Sequence, residues 1–164
     1  AFDRLKPSIR TSQGAIKTVI SFIKWPYKFF NYQFKNYIFR KWLNKQNYDT
    51  EFFNQIVEEK ISSHSEGIER AKSMLKKIAN SEIVITSRIH SALPAVAMDK
   101  KVIFIDEGLE HINHKSRLSG LTSFFKSIKL KEIRMLNLDS ISVEMKHKSY
   151  SKDIEEKIIT FLNT

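Results

Sequence analysis

Ile83-Val84-Ile85-Thr86-Ser87-Arg88-Ile89-His90-Ser91-Ala92-Leu93-Pro94-Ala95-Val96-Ala97-Met98 passes from one kind of structure to another within a few residues. Its first three residues are β-branched or aliphatic without a break, the mark of a strand buried on both faces. Its last six are small and apolar, which suits a closely packed helix, and Pro94 is expected in a first helical turn, where its missing N–H costs nothing. Between them lie Thr86 to His90, polar except for Ile89. A second buried run, Val102-Ile103-Phe104-Ile105, follows. A strand, a helix and a strand in this order form a parallel pair joined by a crossover.

Working outward, Ser63 to Asn80 reads as a helix. Ser63 and Glu66 have capping-box spacing. Ile68, Ala71, Leu75 and Ile78 form an apolar stripe, with Arg70, Lys72, Lys76 and Lys77 outside it, and Asn80 suits the stop. Gln55 to Ser62 is a weaker strand candidate. Downstream, Leu118 to Ile128 is expected to be helical and Ile133 to Leu138 to be a further strand. Asp153 to Leu162 forms a closing amphipathic helix, with Ile154, Ile158, Phe161 and Leu162 on one face. The fold class is therefore α/β, a Rossmann-like parallel sheet with flanking helices.

Residues 1–48 are different in kind. They hold ten Lys/Arg against the single acid Asp3, a net +9 of the chain's +10. Residues 49–164 are nearly neutral, so the overall charge is no argument for nucleic-acid binding. Aromatic residues crowd the stretch from Phe22 to Trp42. Pro26 divides it, and Tyr27, Phe30, Phe34, Tyr37, Ile38 and Trp42 then recur at helical spacing. The chain thus divides into a basic aromatic helical arm or insertion (1–48) and an α/β domain (49–164). No apolar run of membrane-spanning length is present, and no secretory leader is visible. The first residue is Ala1 rather than Met, as expected of a fragment. The absence of cysteine excludes disulfides and thiolate metal sites and fits a cytoplasmic location.

Ligands bind parallel sheets at the carboxyl ends of the strands. Thr86 to His90 occupies that position and also begins a helix, whose N-terminus favours an anion. Arg88 adds a permanent charge and a planar fork for phosphate or carboxylate. His90 can exchange protons near neutral pH. Ser87 and Ser91 supply hydroxyls, and Ile89 points the other way, into the core. Arg88 paired with an interior carboxylate and His90 as an ordinary packed residue remain the structural alternative.

The stretch from Ser81 to Met98 resembles the hallmark of the polysaccharide pyruvyl transferase family, in which a hydrophobic strand ends in Thr-Ser-Arg-Leu-His and leads into an Ala- and Pro-containing turn. The upstream Glu69-Arg70-Ala71-Lys72 helix and the downstream Arg117-Leu118-Ser119-Gly120-Leu121 are similar to family segments, so the resemblance covers residues 63–125. Two departures stand beside the site. Ser91 replaces Gly or Cys, and Asp99-Lys100-Lys101 replaces Gly-x-Pro before the next strand.

The resemblance implies the C-terminal half of a GT-B-like fold, with the active site between this half and a missing N-terminal half. It implies phosphoenolpyruvate as donor substrate with no further cofactor. The acceptor would be a sugar of a cell-surface polysaccharide or its lipid-linked precursor. Arg88 would hold the donor and His90 would contact it or move a proton. Ser87 and Ser91 would bind substrate. Arg117 is either a second clamp or a solvated charge. His64 either faces the cleft or merely starts a helix. His111 and His114 have metal-like spacing but no third ligand, so no metal is expected. The arm would pack on the missing half, or touch anionic lipid at the inner face of the cell membrane. Stacking on nucleic acid is the reading the resemblance disfavours. Two other functions stay open: a glycosyltransferase using a nucleotide sugar, with Glu107 on the ribose, and an inactive, partner-binding half-domain in polysaccharide assembly.

Overall fold

The computed structural model describes residues 15–53, 61–109, 116 and 118–162, with side chains from residue 18 onward. Among the described residues the fold is carried by α1 (Ala15–Leu43), α2 (His64–Asn80), β1 (Ile83–Thr86), α3 (Ile89–Ala97), β2 (Lys101–Ile105), β3 (Lys126–Ile128) and α4 (Lys146–Leu162). The sheet order is β1-β2-β3 and both pairings are parallel, so the architecture is α/β as the strand–helix alternation requires. Val84 lies opposite Val102, and Ile105 opposite Ile128.

Alternation along the strands sorts the core into two layers. Ile83, Ile85, Ile103, Ile105 and Ile128 face one side, where Phe39, Trp42 and Leu43 at the end of α1 meet Leu130, Ile133, Leu138 and Ile141. Val84, Val102 and Phe104 face the other side, against Ile78 of α2 and Ala92, Ala95 and Val96 of α3. The small residues of α3 let that helix approach β1 and β2 closely. Phe104 is buried there against the Phe125 ring, 4.9 Å away. Central β2 is covered on both faces, which is why it is apolar throughout from Val102 to Ile105, with only its first residue, Lys101, charged and half-buried.

Several expectations are corrected. Pro26 lies inside an unbroken α1 rather than dividing it. Pro94 is the sixth residue of α3, not part of its first turn. It removes only the N–H that the His90 carbonyl would receive, and α3 ends three residues later. Leu118 to Ile128 is not one helix, because Gly120 adopts φ +84, a conformation that ends right-handed helical structure. A single 3-10 turn (Leu121–Phe124) follows it, and then β3. Ile133 to Leu138 is not a strand. Leu130, Ile133 and Leu136 recur every three residues, the period of the 3-10 turn Leu130–Met135, which holds the first two and is capped by the third.

α2 starts and stops where the capping signals place it. Ser63 Oγ accepts the Glu66 N–H at 3.1 Å. The Glu66 carboxylate reaches one residue further back than a capping box requires, to the Ser62 N–H at 2.9 Å. Of the predicted stripe only Ile78 is fully buried. α4 forms over the expected Asp153 to Leu162 but starts seven residues earlier, at Lys146, and no residue of it is buried; Tyr150 meets Phe124 edge to face at 5.3 Å. The strand candidate at Gln55 to Ser62 lies almost wholly outside the described residues.

Candidate active site at the carboxyl edge of the sheet

The parallel register brings the carboxyl ends of all three strands to one edge. At the end of β1, Thr86 is buried on the α3 side. Its Oγ1 accepts the Arg88 N–H at 3.0 Å, fixing the turn from strand to helix. Arg88 is the N-cap of α3, in extended conformation (φ −113°, ψ 123°), and its carbonyl accepts the N–H groups of Ser91 and Ala92, both at 3.1 Å. Its half-buried side chain therefore leaves the chain just ahead of the positive end of the helix. The N–H groups of Ile89 and His90, in the first turn, have no helical carbonyl four residues back. This meeting of guanidinium, helix dipole and backbone donors suits an anion such as phosphate or carboxylate.

His90 is exposed in the first turn of α3, open to solvent and to a ligand. Ile89 is half-buried against the core, as expected. Ser87 and Ser91 are both buried, at 3% and 4% exposure. Their side chains look into the protein, so as they stand they shape the turn rather than line an open surface. His64 is the exposed first residue of α2. Arg117, His111 and His114 lie outside the described residues. No cluster of three metal-ligating side chains occurs among the described residues.

Two carboxylates at the end of β2 complete the edge. Asp106 faces the Lys129 ammonium at 3.2 Å, just beyond the end of β3. Glu107 is held by Lys35 of α1, Nζ to Oε1 at 2.7 Å, and its other oxygen receives the Leu130 N–H at 3.4 Å. Each acid is offset by a lysine, so an anion beside Arg88 meets little net repulsion from them. Asp106 was legible, since it directly follows a buried strand. Lys35 and Lys129 were not, because tertiary packing alone delivers them.

The comparisons agree with this geometry. A sequence model of the family described as "Polysaccharide pyruvyl transferase" matches residues 9–108, more than half of the chain. The match takes in α1, well upstream of the segment that carries the resemblance, and stops before Arg117. No curated protein and no solved structure matches the chain. The match spans the whole strand–turn–helix unit that presents Arg88 and His90, and on that basis the chain belongs to the polysaccharide pyruvyl transferase family.

Proposed function

We propose that the chain is the donor-binding half of a transferase that moves pyruvate from phosphoenolpyruvate onto a sugar diol, forming a cyclic ketal. The observation carrying this reading is Arg88 at the N-cap of α3 with His90 exposed one residue into the helix. Phosphoenolpyruvate carries a phosphate and a carboxylate, and Arg88 with the first-turn amides suits either group. The reaction needs a proton at the methylene carbon, which leaves C2 as an oxocarbenium-like centre. One sugar hydroxyl attacks C2, the C2–O bond to phosphate breaks, and a second hydroxyl closes the ring. Of the two hydroxyl protons, one balances the proton taken up by the methyl group and the other leaves with phosphate. His90 is of the right type to carry such protons.

The acceptor is a pyranose of a surface polysaccharide or its lipid-linked precursor, and the remaining wall of the cleft comes from an N-terminal half. The nucleotide-sugar reading loses support because Glu107, its ribose ligand, is committed to Lys35 and the Leu130 amide. To test the proposal, the chain is joined to its N-terminal half, and phosphate release from phosphoenolpyruvate is followed with a pyranose acceptor bearing a free diol. Release that falls about 100-fold or more in Arg88→Ala, with a smaller fall in His90→Ala, is expected. No release by the wild type, or release unchanged in both variants, refutes it.

A further inference from the structure

α1 has two apolar faces, and among the described residues only one is packed. Tyr32, Phe39, Trp42 and Leu43 pack on the sheet. On a different face Ile20, Ile23, Tyr27, Phe30, Phe34 and Tyr37 follow one another at steps of three and four, from 44% to 75% exposed. That spacing makes a straight seam about 26 Å long at 1.5 Å per residue. No helix of the described residues is long and apolar enough to cross a membrane. The seam is therefore a lateral contact surface, not a span.

Its charge surroundings select the occupant. α1 carries Lys17, Lys24, Lys28, Lys35, Arg40 and Lys41 and no acidic residue. At its C-terminal end the seam opens into a cleft of about 340 Å³, lined by Phe34, Tyr37, Ile38 and Trp42 with Lys41, Lys45 and Arg134. Among the described residues none of these three cations forms an ion pair. Lys35, by contrast, is matched with Glu107. Three cations left together repel one another unless an anion joins them. A second copy of this helix would bring lysines against lysines with no acid to pair them, and aromatic side chains are poor residues for a tight coiled-coil seam. A polar surface of negative charge above an apolar layer satisfies both features at once.

We infer that α1 lies in the plane of an anionic phospholipid surface, with the Ile20–Tyr37 seam among the acyl chains and the Lys41–Lys45–Arg134 cleft on a lipid phosphate. This surface is separate from the Arg88 site. Its test reads binding alone, so failure here leaves the transferase proposal standing and the converse also holds.

The test is vesicle flotation of the chain with phosphatidylcholine alone and with an equal mixture of phosphatidylcholine and phosphatidylglycerol. Binding is expected to the anionic vesicles, at least tenfold above the neutral ones, and to fall with salt. Lys41→Gln/Lys45→Gln/Arg134→Gln should weaken it by roughly 100-fold. Phe30→Ser/Phe34→Ser should weaken it comparably and leave the salt dependence in place. All five side chains are exposed, so both variants should keep wild-type circular dichroism. Four results would each overturn the inference: equal or absent binding on both vesicles; anionic binding indifferent to both variants; displacement by millimolar soluble glycerol phosphate, which marks a free phosphate as the ligand; and loss of binding once the N-terminal half is joined, which marks the seam as an interface within the enzyme.

Discussion

Lys35 and Glu107 meet at 2.7 Å, and their contact fastens the middle of α1 to the carboxyl end of β2. The two residues lie 72 positions apart in the chain, both inside the matched segment. Glu107 also receives the Leu130 N–H, so one carboxylate ties together α1, β2 and the turn after β3. The candidate active site is bordered by this junction.

Loss of that junction should show in stability and in the attachment of α1. Both side chains are about a quarter exposed, which limits the pair to about 1 kcal/mol. Lys35→Met is expected to lower the unfolding midpoint by about 2–4 °C. Proteolysis between α1 and α2 should accelerate alongside it. A midpoint unchanged by both Lys35→Met and Glu107→Gln would contradict the assignment.

Thr86 makes a sharper prediction about the turn at the site. Thr86→Val preserves shape but removes the acceptor of the Arg88 N–H, at a cost of about 1–2 kcal/mol. Amide exchange at Arg88 should quicken in Thr86→Val and stay slow in Thr86→Ser, which keeps the oxygen. Equal exchange in the two variants would mean that the hydrogen bond does not hold the turn.

Asp99 stands at φ +55, the left-handed conformation at the end of α3. Its carboxylate offsets that strain by facing Lys148 at 3.0 Å and His147 at 3.4 Å on α4. Asp99→Gly should relax the backbone and release α4, so the sheet domain melts up to about 1 kcal/mol more stably while α4 is cleaved faster. Asp99→Asn tolerates the conformation and should show only the second effect. Slower cleavage of α4 in either variant would count against this account.

Acid should act on the start of α2. The Glu66 carboxyl is held down at about 2, from an ordinary 4.5, first by the Ser62 hydroxyl, then by the Ser62 N–H and Arg70. A carboxylate with a lowered folded-state pKa contributes its stability above about 4.5 and loses it as pH falls toward 2. Glu66→Gln should flatten the stability–pH curve across that window and leave its shape above pH 5 unchanged. Parallel curves for the variant and the wild type from pH 5 to 2 would show that Glu66 is not the group titrating.

The sequence by itself determined the parallel strand–helix–strand unit, the position of Arg88 at its turn, and both ends of α2. These are local: an unbroken β-branched run, a helix-start pattern and a capping serine each carry their information within a few residues. It also determined that the net basic charge is concentrated in residues 1–48. What only tertiary structure decided was which strand comes third, because Lys126–Ile128 is too short to show a period and gains its identity by pairing with β2. Packing likewise turned Ser87 and Ser91 inward, carried α1 unbroken through Pro26, and brought Lys35 and Lys129 to the acids ending β2. Contacts between residues far apart in the chain leave no periodic trace in sequence, since their partner is set by how whole elements pack.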